Sequence, residues 1–373
     1  MLPFMRFRCG KPHRALMTLA VGLSALAFGA CKRGSSPSAA QGSASVTAEP
    51  RSARALPETV ASRGETPAGV PAPADPCPQF SSARRIGRTE SKALDEASGL
   101  AISRKNPGVL WSHNDAPGDE RLFAFTVDGR DLGTYSLKGF EARDWEDLAI
   151  GPAPDSGGWH LYIGDIGSNT MKRKDVVVYQ VPEPDVSPDQ KDKKRKLPSG
   201  RALRLSYPGQ ALAPDAETLM VDPLQSDLYL VTKVDTGKPV VYRAKAPLDH
   251  DSTTALERIG ALDLPGGLTG ASGAITAGDI SADGRWILLR SYDSAYLWPR
   301  RLDQSIAEAL SQAPCPAPLH DERQGEAIAW SPSSMGYFTV SEGVREPIYY
   351  FPSTTLAPTR TSRLFVSEPS GEP

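Results

Sequence analysis

One short pattern recurs along this chain and restricts its fold more than any composition figure: an acidic residue followed at once by a short apolar strand. It occurs at Asp95-Glu96-Ala97-Ser98-Gly99-Leu100, at Asp144-Trp145-Glu146-Asp147-Leu148-Ala149-Ile150 and at Asp215-Ala216-Glu217-Thr218-Leu219-Met220-Val221. It returns at Gly278-Asp279-Ile280 and at Gly325-Glu326-Ala327-Ile328-Ala329-Trp330. After each copy come a turn and a second β-type run (109–112, 161–164, 228–231, 287–290, 337–340), then a third (122–125, 176–181, 240–243, 295–298, 348–351). Fourth runs show in three units, at 132–137, 202–207 and 255–262. The anchors Glu96, Glu146, Glu217, Asp279 and Glu326 are 50, 71, 62 and 47 residues apart, and the longer spacings contain loop insertions.

Units of about 40–50 residues with four antiparallel strands point to a β-propeller, because one small sheet buries its faces only against its neighbours around a ring. The expectation is an all-β propeller of five four-stranded blades, with the run 83–88 supplying the outer strand of the last blade and closing the ring. Six blades is the alternative if Arg363-Leu364-Phe365-Val366 belongs to a further unit, and an irregular β-sandwich is the competing fold. One helix is expected at 302–313, where Leu302, Ile306, Ala309, Leu310 and Ala313 recur at helical steps. The basic run Gln190 to Lys196 between proline-rich flanks reads as a solvated loop.

The N-terminus is of another kind. Arg6, Arg8, Lys11 and Arg14 precede an uncharged run 15–30 that is shorter than the roughly 20 residues a membrane span needs, and small residues lead into Cys31. This reads as a secretory signal over 1–30, an uncleaved signal anchor being the alternative. Residues 31–76 are mostly small residues and proline without an aromatic, a composition that cannot bury enough apolar surface to order itself, so they read as a tether carrying a domain at 77–373. The C-terminal end of that domain reads as a flexible tail. With Cys9 leaving in the signal and Cys31 at its cleavage point, Cys77 and Cys315 are the pair left to form a disulfide in an oxidising compartment, and ring closure would bring them together. A formal charge of −2, from 42 basic and 44 acidic side chains, argues against nucleic acid as a partner.

In a propeller the first strand of every blade lines the central channel. The anchors Glu96, Glu146, Glu217, Asp279 and Glu326 should therefore converge on one face with the ends of the second strands, His113-Asn114-Asp115, Asp165, Lys233, Asp293 and Glu342. So many carboxylates around a narrow channel repel one another and need neutralising. A set of oxygen ligands, Glu96, Glu146, Glu217, Asp279, Glu326, Asn114 and Asp165, suits a hard cation, Ca²⁺ before Mg²⁺ or Mn²⁺. The competing reading has each acid capping its blade through backbone N–H groups, or pairing with Arg143, Arg323 or Lys233. His113 with Asp115 is the candidate general base pair. Trp111, Trp145, Trp298 and Trp330 read as packing residues.

The acid-plus-strand repeat, the His113-Asn114-Asp115 turn and Gly164-Asp165-Ile166-Gly167 resemble bacterial cell-envelope β-propeller lipoproteins and, more distantly, phytase-like and esterase-like calcium-binding propellers. The resemblance implies lipidation at Cys31, an outer-membrane anchor in the cell envelope, and calcium in the channel. Two functions stay open: a membrane-anchored, monomeric propeller that binds a small ligand or an envelope protein at its acidic face, and a calcium-dependent esterase or phosphohydrolase working in the channel.

Overall fold

The computed structural model describes residues 77–153, 157–169, 172–187, 189–190, 193–197, 200–265 and 274–357. The segments read as a signal (1–30) and a tether (31–76), with Cys31, lie outside the described residues, as do 363–366 and the last residues of the chain.

Among the described residues five sheets follow one another around a ring. Strand β1 (Arg84–Arg88) comes first in the chain but belongs to the last sheet. Blade 1 runs outward through β2 (Ala97–Ile102), β3 (Val109–Asn114), β4 (Arg121–Thr126) and β5 (Asp131–Ser136). Blade 2 comprises β6 (Trp145–Pro152), β7 (Trp159–Asp165) and β8 (Val176–Pro182), then, after β9 (Lys194–Lys196), its fourth strand β10 (Arg201–Ser206). Blade 3 is β11 (Ala216–Val221), β12 (Leu228–Thr232), β13 (Val240–Ala244) and, past β14 (Thr253–Ala255), β15 (Glu257–Ala261). Blade 4 is β16 (Ile275–Ile280), β17 (Trp286–Ser291), β18 (Ala295–Pro299) and β19 (Cys315–Ala317). Blade 5 is β20 (Gly325–Trp330), β21 (Gly336–Ser341) and β22 (Pro347–Pro352), completed by β1, so the N-terminal strand closes the ring as the sequence suggested.

The run expected to be a loop at 190–196 contains β9, fully exposed and parallel to β5 of the preceding blade. Strand β14 adds in the same parallel way to β10 of blade 2. The long spacings between anchors thus include short strands that cross to a neighbouring blade. The helix is shorter than its periodicity implied, α1 spanning Ile306–Leu310. Ser305 and Glu308 form a reciprocal capping box, which fixes the start of the helix after Leu302.

Packing follows the ring. A separate apolar cluster fills each gap between successive blades; Trp111 of blade 1 and Trp145 of blade 2 share one, and Leu100 of blade 1 and Phe338 of blade 5 share another. All four tryptophans read as packing residues are fully buried. The five innermost strands are buried along their length, save Pro152 at the end of β6, and lie side by side around the channel. Each also carries one bulge against its neighbour, and these bulges set what faces the channel. The unpaired residues are Glu146, Glu217, Thr276 and Glu326, with Ser98 at the corresponding place in blade 1.

Candidate functional site

The bulges correct the alignment of the repeats. The acid-plus-strand repeat matches Glu96 and Asp279 with Glu146, Glu217 and Glu326, but the structural equivalents in blades 1 and 4 are Ser98 and Thr276. An extra residue in a strand shifts which side chain faces which way, and a short acidic-apolar match cannot register that shift. Glu96 is consequently exposed at the rim. Asp279 is buried farther along its strand, where its Oδ2 accepts the Trp330 N–H at 2.8 Å. Burial is the main reason its carboxyl is raised to about 6, with Arg104 opposing.

Three of the proposed oxygen ligands do converge at the mouth, Glu146, Glu217 and Glu326, each buried. They are joined by residues at the ends of strands, Asp115 after β3, Asp144 before β6, Asp215 before β11, Lys233 after β12, Tyr292 after β17 and Glu342 after β21. The mouth divides into two halves of different character.

On the side of blades 3, 4 and 5 the charges are stitched together. Lys233 Nζ donates to Glu217 Oε1 and, at 2.8 Å, to Tyr292 Oη. The Tyr292 hydroxyl donates in turn to Glu326 Oε1 at 2.8 Å, and Glu326 shares a hydrogen bond with Glu342. Burial, then that bond and the nearby charges of Glu326, Asp115 and Glu96, raise the Glu342 carboxyl to about 9. Burial also raises Glu217, to about 8, although Lys233 pulls the other way.

On the side of blades 1 and 2 no base among the described residues is bonded to the carboxylates, although the charges of Arg173 and Lys233 act on Asp144 and that of Lys233 on Asp115. Asp115, Asp144 and Glu146 each offer a carboxylate oxygen, and the three oxygens lie within 4.8 Å of one another. Glu146 is 2 % exposed, and its Oε1 has no hydrogen-bond partner among the described residues. Burial holds its carboxyl well above the ordinary range, reinforced by Glu217, Asp115, Asp144 and Asp215. Burial and the charges of Asp144, Glu326 and Glu96 raise Asp115 to about 7. Behind the three sits Gly167, where a Cβ would overlap Glu146 Oε1 and come within 2.6 Å of Asp144 Oδ2.

The other expected ligands are used elsewhere. Asn114 spends its amide on structure: Oδ1 accepts Asp95 N–H at 3.1 Å and Glu96 N–H at 3.2 Å, while Nδ2 donates to Ala93 O at 2.7 Å. Asp165 is buried and paired with Arg173 at 2.7 Å, and also accepts the Asp144 N–H at 3.1 Å. His113, expected beside Asp115, lies inside the sheet; its Nδ1 is 3.1 Å from Asn114 O, and its ring meets Trp145 edge-on at 5.7 Å. Burial lowers it to about 4, so it is neutral at physiological pH. Of the bases considered as counter-charges, Lys233 alone enters the mouth's network; Arg143 pairs with Glu141, and Arg323 is exposed.

Sequence reasoning missed Tyr292 and Gly167. It selected Asp293, whose carboxylate instead accepts the hydroxyls of Ser291 at 3.2 Å and Ser294 at 3.0 Å within the turn. In the observed pairing Ile275 faces Ser291 as Gly325 faces Ser341, which makes Tyr292 the blade 4 equivalent of Glu342 in blade 5.

No family model and no curated sequence matches this chain. Among solved structures it is similar to a chain in the crystal structure of a nidogen/laminin complex, at 11 % identity over 66 % of this chain and 73 % of that one, with a TM-score of 0.37. The propeller assignment stands on the strand order and ring of this chain itself.

Proposed function

We propose that this protein is an exported, membrane-anchored β-propeller whose channel mouth binds a hard divalent cation, Ca²⁺ foremost, through Asp115, Asp144 and Glu146, and that it presents the loaded mouth to a ligand or envelope partner. The observation that carries this is Glu146 Oε1: a buried carboxylate oxygen without a donor among the described residues costs free energy unless a ligand satisfies it, and two further carboxylates stand beside it. Calcium–oxygen distances run to about 2.3–2.6 Å, so two oxygens of one ion are at most about 5 Å apart, which the spacing of the three oxygens meets. All-oxygen, carboxylate-rich donors favour a hard ion over zinc.

The remaining carboxyls at the mouth outnumber Lys233. A partner reaching it carries positive charge or supplies neutral oxygens to the ion. The burial of His113 removes the candidate base for hydrolysis, which favours binding over turnover. Anchoring through Cys31, an outer-membrane position, a tether at 31–76 and a monomeric state complete the proposal and rest on the sequence.

The test is the melting temperature of residues 77–373 with chelator and then with Ca²⁺, Mg²⁺ or Mn²⁺, alongside metal content of the protein as isolated. A rise of several degrees for one ion that disappears in Glu146→Gln and Asp144→Asn supports the site by linkage. No rise and no bound metal sinks it.

A further inference from the structure

The disulfide stands at a particular point of the ring. Cys77 is bonded to Cys315, which opens β19 at the outer edge of blade 4. From Cys77 the chain crosses to blade 5 and runs antiparallel along β22: Phe80 bridges Ser353, Ser81 N–H donates to Pro352 O at 2.9 Å, and Thr354 N–H donates to Gln79 O at 2.8 Å. Strand β1 continues the pairing from Arg84 opposite Tyr350 to Arg88 opposite Pro347. The segment 77–88 is therefore the piece that closes the propeller.

Apart from these bonds the segment is held at its surface. No residue of β1 is buried; Phe80 lies 5.1 Å from Tyr337 and 6.4 Å from Trp330 between ring centroids, Ala83 and Ile86 are half-buried against the clusters on either side of blade 5, and Gly87 packs on the Asp128 backbone of blade 1. Backbone bonds along an edge open one after another when a strand is peeled from its end. Among the described residues Cys77 precedes all of them, so peeling this segment from its N-terminal side meets a covalent bond to blade 4 before the edge bonds that begin at Gln79.

We propose that Cys77–Cys315 is a redox-sensitive latch on the ring-closing segment. A dithiol reductant gives up two electrons and two protons, becoming a disulfide, while Cys77 and Cys315 become thiols. Residues 79–88 then peel from β22 without unfolding the other blades and leave the β22 edge open to pairing. This goes beyond the proposed cation site, and its test does not involve that site.

Hydrogen exchange, followed by mass spectrometry on the full chain, decides it. Compare the oxidised protein, the same protein treated with a dithiol, and Cys77→Ser/Cys315→Ser. The expected result is roughly tenfold faster exchange confined to 79–88 and the facing residues 347–354 in both unbridged forms, with blades 2 and 3 unchanged. A uniform acceleration over all blades overturns the latch, because the bond then acts by restraining the unfolded chain. Unchanged exchange at 79–88 overturns it as well. The reduced wild-type chain gives this reading even if the double variant fails to fold.

Discussion

Gly167 lies so close to Glu146 that any side chain there would occupy the place of its Oε1. The absence of a Cβ at this position lets the carboxylates of Glu146 and Asp144 approach each other from one side while Asp115 completes the group. Gly167→Ala should therefore push the Glu146 carboxylate out of its place. The expected outcome is a loss of cation affinity of at least about tenfold in calorimetric titration, with the chelator-treated protein still folded by circular dichroism. Retained affinity would mean that the ion, if bound, sits elsewhere.

How much of this was legible beforehand differs between fold and site. The period of the acid-plus-strand units disclosed the ring because each blade has to repeat the same apolar strands to pack on its neighbours, and the order of the strands showed that 83–88 had to close it. Which anchors share a face depended on one bulge per inner strand. A bulge leaves no residue signature: Ser98 and Thr276 occupy the equivalent places in blades 1 and 4 without being acidic. Gly167 stands in the sequence inside the motif Gly164-Asp165-Ile166-Gly167 with no role of its own, and that role appears only when Glu146 is packed against it.

The crowding of carboxyls at the mouth sets a pH dependence. Glu342, raised from 4.5 to about 9, and Glu217, raised from 4.5 to about 8, bind protons more tightly in the folded chain than in the unfolded one. The folded state then holds more protons than the unfolded state over the window between about 4.5 and 9, so stability falls as pH rises through it. Urea denaturation of cation-free protein should give a higher midpoint at pH 5.5 than at pH 8 on the order of these limits. Glu342→Gln should reduce that difference. An equal or higher midpoint at pH 8 would contradict the charge arrangement.

The stitched half of the mouth should be separable from the open half. Tyr292→Phe removes the hydroxyl that accepts from Lys233 and donates to Glu326, bonds of 2.8 Å each. Hydrogen bonds to charged groups contribute about 1.5–3 kcal/mol apiece, less here because Lys233 and Tyr292 keep some contact with water, so a loss of about 1–2 kcal/mol in equilibrium unfolding is expected. Cation affinity should stay within about threefold of wild type, since the phenol touches none of Asp115, Asp144 and Glu146. A large fall in affinity without loss of stability would place the ion on the Lys233 side instead.

Asp279 gives the opposite pattern to Glu146, although the two occupy matching places in the sequence repeat. Its carboxylate ties blade 4 to blade 5 by accepting the Trp330 N–H at 2.8 Å. Asp147 does the same between blades 2 and 3, accepting the Leu219 N–H at 2.9 Å. Asp279→Ala strands a buried backbone donor, a cost of about 1–3 kcal/mol. Asp279→Asn keeps a carbonyl oxygen for that N–H and should recover most of the loss. Neither change should alter the melting-temperature shift produced by Ca²⁺, whereas Glu146→Gln should abolish the shift while leaving the chelator-treated protein at least as stable, because it removes a buried carboxyl pressed against like charges. If Asp279→Ala instead erased the calcium shift with little loss of stability, the ion would be bound deeper in the channel than the three carboxylates at its mouth.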